Sequence, residues 1–155
     1  MHARDLRREP PRRWNTEIDG IAWMPRLIDK TRAALAGTLG PYLYGQSPID
    51  REFLHSMGLS HRAFAEIVAA APDDGSVFAA IAGRDPQAID RARAWSATLP
   101  KRHGSFLAVL DIDDGYTGGA ASAIKPVMNA LSFALTWTVK RLYPNRATEG
   151  LEQLW

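Results

Sequence analysis

Four helix-start signals lie between residues 47 and 86, and they commit this part of the chain to a series of short helices. Ser47 is followed by Pro48, with Asp50 three residues after the serine. Serine accepts a hydrogen bond from a free N–H of the first turn, proline suits the first helical position, and an acid faces the positive end of the helix dipole. Ile49, Phe53 and Met57 then form an inward stripe, and Gly58 ends it. Ser60 caps the next helix, which turns Phe64, Ile67, Val68 and Ala71 inward before Pro72. Asp73 or Asp74 caps a third helix over Val77, Phe78 and Ile81. Asp85-Pro86 starts a fourth, which runs through Ile89, Ala92 and Trp95 to Pro100.

The flanks read the same way. Pro25 suits a first helical turn, Leu27, Ile28, Thr31, Ala34 and Leu35 share one face, and Gly37 closes the run. Arg26, Asp29, Lys30 and Ala33 then mark its outer face. The stretch FLAVLDIDDGY (106–116) has the length of a strand but no second strand to pair with, so it is read as helix. A long apolar helix is expected over about 120–142. Lys125, Asn129, Ser132, Thr136 and Lys140 put one polar stripe on it, which argues against a membrane span. Its remaining apolar circumference suits homodimerisation. The expected fold is all-α: a compact bundle of about seven helices with a long apolar C-terminal helix. Residues 1–20 form an extended basic arm that docks through Trp14, Ile18, Ile21 and Trp23. Residues 21–155 form a single helical domain.

With 155 residues the chain can bury one proper core, and with no cysteine it has neither a disulfide framework nor a thiolate site. The N-terminus lacks the apolar segment of a secretory signal. Residues 1–13 carry five arginines against Asp5 and Glu9, a net +3, so the rest of the chain sums to −1. The positive balance therefore resides in the arm, where it can meet phosphates.

Three motifs carry less than they suggest. VLDIDDG (109–115) looks like the aspartate motif of haloacid dehalogenase phosphatases, but too little chain follows to supply that fold's other catalytic parts. It fails equally as a calcium loop, and is read as an acidic turn at helix ends. FLHSMGLSHRAFAEI (53–67) resembles a helix-turn-helix whose second helix presents His61, Arg62, Ala65 and Glu66. One firm cation beside an acid is a poor phosphate-binding face, so DNA binding through the arm and residues 49–67 ranks low. His2, His55, His61 and His103 form no metal-ligand spacing, and no metal is expected.

Residues 26–50 hold the best candidate site. Arg26, Lys30 and Arg32 are anion anchors, with Asp29 between them. GTLGPYLYGQSP follows, where Tyr42 and Tyr44 form an aromatic wall with hydroxyl tips and Gln46 precedes the helix start. Asp50 is an orienter or base. The plainer reading is a packed corner in which Lys30 pairs with Asp29 or Asp50. On the first reading the ligand is a small anionic or aromatic metabolite, and the cofactor is unspecified.

The same block, MPRLIDKTRAALAGTLGPYLYGQSPIDREFLHSMG, resembles a bacterial family catalogued as domain of unknown function 5069. Its pattern runs LPRLIDKxRAxLAGTLGxYxYxxxPxDxxFLxxxG, with Met24 here in place of the leading leucine. The likeness covers roughly residues 4–80. It implies a bacterial, cytoplasmic protein and brings no catalytic residue with it.

Overall fold

The computed structural model describes residues 3–116, together with Ala130, Ala134, Trp137 and Thr138. The helix expected at 120–142, with the homodimer and the polar stripe assigned to it, falls outside the described residues apart from those four, which are helical. Within them, five helices follow a two-stranded hairpin: β1 (Glu17–Ile18), β2 (Ile21–Ala22), α1 (Met24–Leu35), α2 (Pro48–Ser56), α3 (His61–Ala70), α4 (Asp74–Arg84) and α5 (Pro86–Asp113). Among the described residues no helix is long and apolar enough to cross a membrane.

The helix starts lie where their caps predict. Ser47 Oγ accepts from the Asp50 N–H, Ser60 Oγ from Ala63, Asp73 from Ser76 and Asp85 from Gln87. Helix ends follow the glycines. Gly37, Gly58 and Gly115 each take a positive φ, and the next N–H reaches back five residues, Thr38 to Ala33, Leu59 to Leu54 and Tyr116 to Asp111. This is the Schellman arrangement, which satisfies the last free carbonyls of a helix.

Two features differ from expectation. The expected stop at Pro100 and the separate helix at 106–112 merge into one element. α5 carries Pro100 inside it and bends at His103 (φ −126, ψ 18). A proline removes one hydrogen bond and crowds the preceding turn, so it kinks a helix where packing on both sides holds the two arms. Ala88, Ala92 and Leu99 before the bend and Leu107 after it are all buried. Seven expected helices thus become five, with the last expected one largely outside the described residues. The second difference is the hairpin. Ile18 pairs with Ile21 across Asp19 and Gly20, both at positive φ. Asp-Gly between two isoleucines is a strong two-residue hairpin signal, and the helical pattern around it masked it.

α1 packs on α3, α2 and β2 pack on α5, and α4 bridges α3 and α5. The apolar core gathers Leu27, Ile28, Phe53, Leu54, Phe64, Val68, Ile81 and Leu99 between these helices. Residues 4–13 cross over α1 as a strap. Leu6 is buried in the core, and Thr38 Oγ1 donates to the Arg4 carbonyl at 3.2 Å. Gly40 admits the strap. At its φ of +62 a Cβ atom would stand 2.7 Å from the Leu6 carbonyl oxygen, a backbone collision that no side-chain adjustment relieves.

Candidate functional site

The charged face of α1 faces inward. Arg26, Asp29, Lys30, Thr31 and Arg32 are all buried, as is nearly every residue of the helix. The outer, open face assigned to this helix from its spacing is therefore wrong. The physical reason is that a second layer covers it: the strap on one side, and on the other the acidic ends of neighbouring helices. An ion is costly to take out of water unless a partner and good hydrogen bonds replace the lost hydration.

Each buried charge meets such a partner. Lys30 Nζ lies 2.5 Å from Asp50 Oδ2, and Asp50 Oδ1 accepts the Trp23 indole N–H at 3.0 Å. Trp23, the residue before α1, has φ +71, a strained value for an L-residue. This turn sets its ring against both cations, 5.7 Å from Lys30 Nζ and 5.8 Å from the Arg26 guanidinium. Arg26 donates to Asp114 at 2.6 Å, and the Tyr42 hydroxyl donates to the other oxygen of the same carboxylate at 2.9 Å. Arg13 and Trp14 both donate to Asp111. At the C-terminal end of α1, Arg12 chelates Asp29 and reaches Asp74, and Arg32 takes the second oxygen of Asp74 at 2.6 Å.

The sequence-predicted residues thus come together only in part. Lys30 and Asp50 form the pair that the plainer reading anticipated. Arg26, Asp29 and Arg32 join three different acids or arginines from outside 26–50. Tyr42 sits on Asp114, whereas Tyr44 points the other way and donates to the His61 carbonyl at 3.1 Å. Gln46 is partly exposed in the loop before α2. Sequence reasoning missed Arg12, Trp23, His61, Asp74, Asp111 and Asp114. Asp111 and Asp114 lie in the segment dismissed as an acidic turn. The only available signal was a balance: three cations close together on α1 need acids, and VLDIDDG is the densest acidic stretch in the chain.

Electrostatics follow from the burial. Desolvation pulls the Lys30 ammonium below its ordinary pKa, opposed by Asp50 and reinforced by nearby Arg26. Desolvation also raises the Tyr42 phenol, and the Asp114 carboxylate raises it further. His61 is fully buried, with its ring edge-on to Tyr44 at 5.5 Å, and burial lowers its pKa to about 4. His61 and Ala65, expected on a DNA-reading face, are both buried, and Arg62 pairs with Glu66 at 3.0 Å. Among the described residues no group of three histidine, aspartate or glutamate side chains could hold a metal ion.

Arg32 is only partly paired. Its Nη1 serves Asp74, but Nε and Nη2, the two parallel donors of one guanidinium edge, are buried with no hydrogen-bond partner among the described residues. Arg26 Nε is in the same condition.

These features define a small helical protein with an ion-paired polar layer laid over its apolar core. The chain belongs to the family described as Domain of unknown function (DUF5069), whose model matches residues 8–111. No curated protein matches it.

Two outcomes follow from the burial. Lys30→Ala leaves the Asp50 carboxylate buried without its cation, so it should cost about 3–5 kcal/mol in urea unfolding, where an open-face lysine would cost almost nothing. A loss within about 0.5 kcal/mol would place Lys30 in solvent. His61 sets a pH dependence. Its unfolded imidazole takes a proton below about 6.5, whereas the buried one stays neutral down to about 4. The unfolded state then binds more protons, so stability falls as pH drops through that window. Unfolding at pH 7, 5.5 and 4 should show His61→Phe losing less stability than the parent, by up to about 3 kcal/mol. Equal slopes would contradict the buried neutral histidine.

Proposed function

We propose that the protein binds a small anionic ligand, a carboxylate or phosphate on a compact body, at the C-terminal end of α1. One observation carries the reading. The Nε–Nη2 edge of Arg32 is the fork that matches two oxygens of a carboxylate or phosphate, and it is buried without a partner among the described residues. A buried guanidinium edge left unpaired is costly, and an anion restores its hydrogen bonds.

The surroundings support this. Arg12 and Arg32 share Asp74, Arg12 and Arg4 share Asp29, and Arg4 also pairs with Glu9 at 3.0 Å. The two aspartates hold the guanidinium planes fixed, so little side-chain entropy is lost when a ligand binds. The edge is closed off from solvent, and the strap residue Arg12 shares the Asp74 carboxylate with Arg32. Access then requires the strap to lift, and the bound anion draws it back down. Within residues 26–50 the anchoring role narrows to Arg32, which Asp74 orients, while Asp29 holds Arg12 of the strap. Lys30 and Asp50 satisfy each other and hold α2 to α1, while Tyr42 and Tyr44 are spent on Asp114 and the His61 carbonyl.

The test is thermal unfolding with inorganic phosphate, acetate and small dicarboxylates. A ligand at a hundred times its dissociation constant adds about 2.7 kcal/mol of stability. Arg32→Lys keeps the charge and the contact with Asp74 but loses the fork. It should weaken the anion about tenfold or more, with the ligand-free melting temperature little changed. Arg84→Lys, on α4 outside the cluster, should bind as the parent does. Stabilisation that is absent with all these anions, or that survives Arg32→Lys unchanged, contradicts the reading.

A further inference from the structure

α2 carries Asp50 on its buried side and Glu52 and His55 on its outer side, and the outer side borders two adjoining hollows. One, about 370 Å³, is lined by Pro48, Arg51, Glu52, His55 and Leu59. The other, about 400 Å³, is lined by Glu52, His55, Ser56, Trp95, Arg102 and His103. They share Glu52 and His55, so they form one groove along α2 that ends at the bend of α5. Both hollows are open to solvent, so a small molecule there lies along the surface of α2.

The groove's end is built by the kink. Arg102 and His103 sit at the bend and turn toward α2, where each lies within reach of Glu52, at 3.5 Å and 3.1 Å. The Arg102 guanidinium lies over the Trp95 ring, 5.3 Å from its centre, and Phe53 backs that ring from the core at 5.0 Å. Trp95 is 8% exposed, and its indole nitrogen is buried with no hydrogen-bond partner among the described residues. Buried tryptophan N–H groups ordinarily find an acceptor. The groove thus offers two guanidiniums, Arg51 and Arg102, against a single acid, and the Trp95 ring beneath Arg102 carries an N–H that is unused but closed off from solvent. Glu52 is 42% exposed, and so is its partner Arg102. Such a pair is worth little, so another carboxylate exchanges with Glu52 at small cost. Pro48 and Leu59 supply apolar wall at the far end.

We infer that this groove is a second ligand site, taking a small molecule with one carboxylate on an aryl or alkyl body. The carboxylate sits at Arg102 beside the Trp95 ring, and the apolar body lies along α2 toward Leu59. The site shares no side chain with the Arg32 cluster and rests on none of the reasoning for it.

The probe is 4-phenylbutyrate, with 4-phenylbutanol as its uncharged counterpart, titrated into the nitrogen-15-labelled full chain. The readout is the Trp95 indole N–H signal, identified by its loss in Trp95→Phe or, if that variant does not fold, by through-bond assignment. The acid should move this signal saturably, with the alcohol about tenfold weaker. Arg102→Gln should lose about tenfold in affinity for the acid, whereas Lys101→Gln should match the parent. An unmoved indole signal at millimolar acid overturns the inference. So does a shift that grows without saturating, equal binding of acid and alcohol, or unchanged affinity in Arg102→Gln.

Discussion

The rest of the structure depends on the burial of the charged face of α1. Arg26, Lys30 and Arg32 are each at most 7% exposed, in a helix that is itself at the centre of the molecule. Three cations in that position repel one another and lose their hydration, so the fold exists only where carboxylates arrive to meet them. The neighbouring elements deliver those acids. The cap of α2 positions Asp50, the start of α4 positions Asp74, and the Schellman end of α5 positions Asp111 and Asp114. The helix ends are thus placed by electrostatics as much as by capping.

The strap belongs to the same scheme. Arg12 donates to Asp29, Asp74 and the Pro25 carbonyl, and Arg13 and Trp14 hold Asp111. Read as a sequence, residues 1–20 are an extended basic arm whose charge is free to meet phosphates. In the fold their charge is spent on acids that the α1 cations alone do not neutralise. Gly40 lets the strap lie close enough for this, and Leu6 anchors it in the core. On the proposed reading, a ligand at Arg32 lies beside the Asp74 carboxylate that Arg12 of the strap also holds.

Helix starts and stops were legible in the sequence because capping is local. Ser47, Ser60, Asp73 and Asp85, with Gly37 and Gly58, act within four or five residues of themselves. The kinked continuity of α5 was not legible, because Pro100 is a local stop signal that packing on both arms overrides. The hairpin had its signal in Asp19-Gly20 but too few strand residues to establish a period. The candidate site was legible as a concentration of charge on α1, and the Lys30–Asp50 pair was among the readings of it. Its inward orientation was not legible. Amphipathic spacing says that a helix has two faces, and only tertiary contacts say whether the polar one meets water or a second layer of protein. Asp114 is 88 residues from Arg26, a separation at which spacing carries no information.

The most direct test of this account is a double-mutant cycle on Arg26 and Asp114. Their side chains are 2% and 1% exposed and 2.6 Å apart. Arg26→Met and Asp114→Leu each strand a buried charge, whereas the double variant strands neither. The account predicts that each single substitution costs about 3–5 kcal/mol in urea unfolding, and that the double costs less than their sum by at least about 2 kcal/mol. Additive losses within about 0.5 kcal/mol would mean that the two charges do not depend on each other, and the claim that carboxylates hold the buried face of α1 in place would fail.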